Sequence, residues 1–260
     1  MCKVISICNQ KGGVGKTSTS VNLGIGLANE GKKVLFIDAD PQGSLTISLG
    51  NQTPDSLENT LTNVMLKIVN EENVEPGFGI IHYNENVDLM PANIELATLE
   101  ITLTGVMCRE QKLGLYVNQM KEYYDYIIID CMPSLGIMTI NALACSDSVI
   151  IPVVPANLPV KGLQQLIKTI FTIKRGLNTK LEIEGILFTL VDNRTNDAKN
   201  YMTAVNNAYG QSIPIFPVEI PLTVKVPESS TAGLSIYKYD PKGKGATAYK
   251  RLTMEVLNRG

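Results

Sequence analysis

Short runs of β-branched and aliphatic residues recur along the chain, and most give way to stretches with apolar positions at helical spacing. KVISIC (3–8), KKVLFID (32–38), DYIIID (125–130), SVIIPVVP (148–155) and IEGILFTLV (183–191) each predict a strand. Runs that are apolar on both faces fit parallel strands covered by helices on each side. Residues 16–29, KTSTSVNLGIGLAN, carry apolar positions at roughly helical spacing. Strand alternating with helix predicts an α/β fold: a single, doubly wound, mostly parallel sheet flanked by helices. Between the second and third of these strands lies a less regular insert, 53–93. Its first part, TPDSLENTLTNVMLKIVN (53–70), opens with proline and acidic or hydroxyl residues and continues as a helix. Its second part, GIIHYNENVDLMPAN (79–93), predicts two short strands around an Asn-rich turn. From Gly243 the sequence GKGATAYKRLTMEVLNRG (243–260) predicts a final amphipathic helix. No repeat, low-complexity tract or linker interrupts the pattern, so residues 1–260 are expected to form one domain.

Composition narrows the picture without changing it. A chain of 260 residues can bury a substantial core without covalent staples. With 23 Lys and Arg against 25 Asp and Glu the net charge is −2, so no strongly basic nucleic-acid binder is announced, and any basic patch must be local. The five cysteines (Cys2, Cys8, Cys108, Cys131, Cys145) form no C-x-x-C pair. They read as reduced thiols that mostly pack in the core. The first apolar stretch is too short for a signal peptide, and no later run reaches spanning length. A soluble, cytoplasmic protein is expected.

Candidate chemistry enters with NQKGGVGKTS (9–18), which follows a predicted buried strand and opens a predicted helix. That is the setting a phosphate-binding loop requires. Gly12, Gly13 and Gly15 would let backbone N–H groups converge on phosphate oxygens, and the helix would present its positive end to the same anion. Lys16 is expected to reach the β- and γ-phosphates and Thr17 to ligate Mg²⁺, with Val14 and Ser18 completing the contact set. Gln10 stands where the usual G-x-x-x-x-G-K-[ST] pattern has glycine. Lys11 is a second, surplus lysine. Three acids end predicted strands: Asp38 and Asp40 in FIDADPQG, and Asp130 in YIIID. Ligands of open α/β sheets bind at such ends, and carboxylates there can hold Mg²⁺ through its waters or position an attacking water. Singly, each acid could equally be a cap.

The stretches NQKGGVGKTSTSVNLGIGLANEGKKVLFIDADPQG, LMPANIELATLE, YDYIIIDCMPSLGIMTINAL, VDNRTN and YDPKGKGATAY run from the first strand to the last helix. Together they resemble the ParA/MinD family of deviant-Walker P-loop ATPases, and within it the Soj-like chromosome and plasmid partition ATPases. The resemblance implies ATP and Mg²⁺ as cofactors and an ATP-dependent homodimer in which Lys11 reaches the partner's phosphates. It implies that Asp40 orients or activates the attacking water, and that Asp38 and Asp130 support magnesium and the switch regions. It also implies slow intrinsic turnover, non-specific binding of double-stranded DNA by the ATP dimer, association with the nucleoid, and stimulation of hydrolysis by a ParB-like centromere-binding partner. Two departures stand out. Met132 replaces a family proline in DCMPSLG. In IPLTVKVPESS (220–230), aligned with a family Ile-Pro-Arg-Asn, Leu222 replaces the arginine and Thr223 the asparagine. Pro221 and Thr223 are expected at adenine, since threonine still donates and accepts a hydrogen bond. DNA contacts are expected from Arg194, which matches a DNA-contacting arginine of the family, and from the basic positions Lys225, Lys242 and Lys244.

The alternative is a MinD-like membrane-cycling positioning ATPase. It shares the loop but carries an added amphipathic tail, and here nothing of that kind follows VLNRG, so no membrane partner is expected. An iron–sulfur relative would need paired cysteines in glycine-rich contexts, which Cys108 and Cys131 lack. His82, the only histidine, has no nucleophile motif beside it, and the tyrosines of KEYYDYIIID fit strand-edge packing.

Overall fold

The computed structural model describes residues 2–155 and 161–259. In chain order the elements are β1 (Lys3–Ile7), α1 (Lys16–Asn29), β2 (Val34–Ala39), α2 (Ser44–Ser48), α3 (Leu61–Val69), β3 (Ile81–Asn84), β4 (Val87–Met90), α4 (Glu95–Leu103), α5 (Lys112–Met120), β5 (Tyr126–Cys131) and α6 (Ile137–Cys145). They continue as β6 (Ser148–Val153), α7 (Lys161–Gly176), β7 (Glu182–Phe188), α8 (Asn196–Tyr209), α9 (Lys225–Thr231), α10 (Ile236–Tyr239) and α11 (Lys244–Arg259). Among the described residues the strands form one sheet in the order β3-β4-β2-β5-β1-β6-β7, parallel except for the edge strand β3.

Every residue of β2, β5 and β6 is buried, which is why their sequences run apolar without alternation. Two apolar layers cover the sheet. One gathers residues of α3 to α8, among them Leu61, Leu96, Leu113, Met138, Leu166 and Val205. The other gathers α1 and α11 with Leu45 and Ile236. Helix α1 lies close against the sheet because two of its glycines leave room. A Cβ on Gly24 would overlap the Phe36 ring, and one on Gly26 would overlap Thr253 and Tyr237. Such contacts are one of the ways an unsubstituted glycine serves close packing.

The stretch 53–93 is more regular than its sequence suggests. It holds α3, whose start is fixed by a capping box between Thr60 and Asn63, and then β3 and β4, which extend the main sheet. β4 runs parallel to β2, with Phe36 opposite Leu89. Strands of four residues carry too little periodicity to declare their partners. β7 stops at Phe188, short of the predicted 191, because the chain then turns over the phosphate loop. Leu190 takes φ 51° there, an uncommon conformation for a branched residue. The strand predicted over 148–155 likewise ends early, at Val153.

The cysteines divide. Cys8 and Cys131 are buried, Cys2 and Cys145 half-buried, and Cys108 is exposed, contrary to core packing, in a turn with φ 52°. Tyr124 donates to Asp88 at 2.6 Å, and His82 shares the other oxygen of that carboxylate at 2.6 Å. Both the tyrosine and the histidine thus serve the β3–β4 edge of the sheet.

Candidate functional site

Parallel register brings the candidate residues to one edge. Ile7 lies opposite Asp130, and Asp130 opposite Asp38, so β1, β5 and β2 end at the same level. The chain leaves β1 toward β2 on one side, while β5 passes to β6 on the other. The loop after β1 therefore sits at the reversal of strand order, where open α/β sheets bind ligands.

Residues 9–15 form the loop. Gly13 and Gly15 adopt φ 69° and 78°, which side chains rarely tolerate. A Cβ on Gly12 or Gly13 would meet nothing within 4 Å, so the loop has an open face. Gly15 begins α1, and no side chain caps that end, leaving its first N–H groups directed at whatever occupies the loop. Three side chains tie the loop to distant parts of the chain through backbone carbonyls. Asn9 Nδ2 donates to Pro152 O at 2.7 Å, Gln10 Nε2 to Gly162 O at 2.8 Å, and Thr189 Oγ1 to Val14 O at 2.8 Å. Gln10, the departure from the usual glycine, is thus an anchor to the first turn of α7.

The two lysines are disposed differently. Lys16 is buried, and its Nζ donates to Lys11 O at 3.2 Å. Lys11 is exposed on the rim, and among the described residues its ammonium has no ion-pair partner. Thr17 Oγ1 donates to Asp130 Oδ2 at 2.7 Å, and Ser20 Oγ to Oδ1 at 2.8 Å. Burial pushes the Asp130 carboxyl up to about 6, against the pull of these two hydroxyls and of the Lys16 charge. Asp38 is pushed further, to about 8, by burial and by the neighbouring Asp130 charge. Its oxygens are committed: Oδ1 accepts from Asp40 N at 3.2 Å, and Oδ2 from Thr46 N at 2.9 Å and Thr46 Oγ1 at 2.8 Å. Expected to support magnesium and the switch regions, Asp38 has no exposed surface with which to meet a bound ion or nucleotide, and its bonds shape the Asp40 turn. Asp40 itself is half-buried and accepts from Gln42 N at 3.0 Å.

Beside the loop a cleft of about 570 Å³ is bounded by Gly13, Gly15, Lys16, Thr17, Ser18 and, across from them, Thr223 and Leu222. Pro221 opens instead onto an adjoining cleft of about 380 Å³ with Asn193, Lys242, Lys244 and Arg251. The two residues expected together at adenine thus line different clefts, because Pro221 bridges to Val191 while the chain beyond it turns into α9. The expected DNA residues also separate. Arg194 grips Asp192 through Nε at 2.8 Å and Nη2 at 2.7 Å, and Lys225 pairs with Glu228 at 2.9 Å. Lys242 and Lys244 have no such acidic partner among the described residues, and Arg251 joins them.

The residues fit a magnesium-bound polyphosphate. An open glycine cradle, an uncapped helix start and a buried ammonium held only by a carbonyl suit the phosphates. A hydroxyl and carboxylates at Thr17, Asp130 and Asp40 are hard oxygen donors of the kind magnesium takes. Sequence reasoning missed Asn9, Ser20, Thr46, Thr189 and Arg251. Ser20 was within reach, since it follows Thr17 by one helical turn. Thr189 had no local signal.

A parallel sheet switched at β1 with this loop defines a P-loop nucleotide-hydrolase of the deviant-Walker type, marked by Lys11 beside Lys16. A family model described as an AAA domain matches residues 2–183. The chain is 42% identical to the sporulation initiation inhibitor protein Soj of Bacillus subtilis over 260 residues, covering 100% of both. It is 38% identical to the chromosome partitioning protein ParA of Myxococcus xanthus over 259 residues, covering 99% of this chain and 88% of that one. Among solved structures it is similar to cobyrinic acid a,c-diamide synthase from Mycobacterium smegmatis with bound ADP and magnesium, at 34% identity and TM-score 0.87, covering 100% and 95%. It is also similar to the septum site-determining protein MinD of Pyrococcus horikoshii complexed with Mg-ADP, at 26% identity and TM-score 0.75, covering 98% and 96%. The chain belongs to the ParA/MinD family of ATPases, on its Soj/ParA branch.

Proposed function

We propose that this protein is an ATP-dependent, dimerising DNA-segregation ATPase whose ATP-bound dimer binds DNA without sequence preference and is reset by a ParB-like partner that stimulates hydrolysis. The observation that carries this reading is the pair of lysines. One serves its own loop, and the other stands on the exposed rim, available to a second copy. A cation supplied in trans stabilises transition-state charge only in the closed dimer, which couples ATP occupancy to association.

In this reading Lys16 would exchange the Lys11 carbonyl for the β- and γ-phosphates, and Thr17, with Asp130 and Asp40 through water, would hold magnesium. When bound, magnesium would help to neutralise the charge on the phosphate oxygens. Asp40, whose turn is set by Asp38, orients the attacking water. With Asp40 as the one group assigned to that water, intrinsic turnover is expected to be slow. DNA would meet the Lys242–Lys244 end of the molecule, where cations lack acidic partners among the described residues, and association with the nucleoid follows.

Sedimentation with a non-hydrolysable triphosphate and magnesium tests the reading. The wild type is expected as a dimer and Lys11→Ala as a nucleotide-bound monomer. A wild-type protein that stays monomeric at saturating nucleotide sinks it. The MinD-like alternative draws on the structural likeness alone, and ATP-dependent sedimentation with liposomes would revive it.

A further inference from the structure

We infer that Thr189 is a positioning residue for the phosphate loop: its hydroxyl fixes the Val14–Gly15 peptide so that the carbonyl faces the protein and not the phosphates. The inference rests on the proposed nucleotide role of the loop.

Val14 stands between Gly13 and Gly15, both in the left-handed region. Glycine populates either sign of φ readily, so peptides flanked by glycines resist rotation weakly. What fixes this one is chemistry from elsewhere. Thr189 Oγ1 donates to Val14 O at 2.8 Å, with donor and acceptor both buried and 175 residues apart in sequence. The same threonine passes within 3.7 Å of where a Gly15 Cβ would be. Asn9, Gln10 and Lys16 hold the loop at or before Lys11, so among the described residues Thr189 is the side chain bonded to its stretch from Gly12 to Gly15.

A phosphate cradle works because N–H groups point inward. Rotating the Val14–Gly15 peptide would turn an N–H away and swing a carbonyl oxygen toward the anion, replacing attraction with repulsion. The bond to Thr189 opposes that rotation, since a buried Val14 O turned away from the hydroxyl would lose its donor. The position of Thr189 makes the device more than local. Leu190, next in the chain, lines the cleft beside the loop with Leu222 and Thr223, so the two residues that follow β7 meet both the loop and that cleft. The strained φ of Leu190 is the conformation that lets both happen in consecutive residues.

The test compares Thr189→Val, which keeps the shape and loses the donor, with Thr189→Ser, which keeps the donor. Three readouts are taken beside the thermal midpoint: ADP and ATP dissociation constants by calorimetry, KM against kcat, and the Val14 carbonyl ¹³C shift in nucleotide-free protein. The valine variant is expected to bind both nucleotides roughly tenfold or more weakly, as for a buried carbonyl left without its donor. Its KM should rise by more than its kcat falls, and its Val14 carbonyl shift should move. Serine should restore all three to within about threefold. Equal binding by the valine variant and wild type overturns the inference, as does a serine variant as weak as the valine. If wild-type protein itself binds no nucleotide, the functional reading fails instead, and the carbonyl shift still tests whether Thr189 fixes the peptide. A thermal midpoint lowered equally in both variants, with weak binding in both, assigns Thr189 to folding and also overturns the inference.

Discussion

Asp38 and Asp130 lie side by side with almost no exposed surface, and neither has a cationic side chain bonded to it. Burial raises both carboxyls, to about 8 and about 6. In the unfolded chain they ionise at about 4, so between those values the folded state binds more protons. The contribution of this pair to stability is therefore fullest below about 4 and is lost as pH rises toward about 8. The thermal midpoint of nucleotide-free protein is expected to fall across that window, and Asp38→Asn should flatten its upper part. A midpoint that rises through the same range would contradict the shifts. A second prediction concerns Arg194. The exposed fork to Asp192 occupies the guanidinium that a DNA phosphate would use. Asp192→Asn should release it and strengthen DNA retention in the ATP state, with a salt slope steeper by about one unit for each phosphate newly neutralised. Unchanged retention would show that Arg194 does not meet DNA.

At the scale of elements, α1 does two jobs with one sequence. Its start supplies the loop with N–H groups, and its later turns press onto β2 and α11 through Gly24 and Gly26. Those glycines weaken the helix on its own, each by about 1 kcal/mol relative to alanine. Tertiary contact reverses the sign. Gly24→Ala is expected to destabilise the protein by about 1–3 kcal/mol, read from the denaturant midpoint, because the methyl meets the Phe36 ring. A stabilised variant would mean that α1 can retreat from the sheet without loss. The element boundaries follow the same logic. α1 matches its predicted bounds of 16–29 because loop and helix signals coincide there. Helix α6, IMTINALAC, gives no such signal: an almost continuous apolar run reads equally as a strand, and burial between layers decides it.

For the molecule as a whole, charge is the quantity that composition hides. A net charge of −2 announces no nucleic-acid partner, yet Lys242, Lys244 and Arg251 line one cleft against a single acid among its lining residues, Glu219, while acids such as Asp192 and Glu228 are spent on local pairs. Dimerisation would double that patch, so DNA retention is expected only with ATP and should fall steeply with salt, as counterion release requires. Retention equal in ADP and ATP would separate DNA binding from the dimer.

What the sequence determined by itself is whatever neighbours in the chain can determine. The phosphate loop, its two lysines, the helix that follows and the fully apolar strands are set by steric and burial patterns a few residues long. Tertiary structure alone decided the rest. It joined the two short strands at 81–90 to the main sheet beside β2, placed Pro221 and Thr223 on different clefts, withdrew Asp38 from the surface, and set Thr189 against Val14. Each of these depends on which distant segment comes to lie alongside, and only the packed sheet, by burying one partner against the other, fixes that choice.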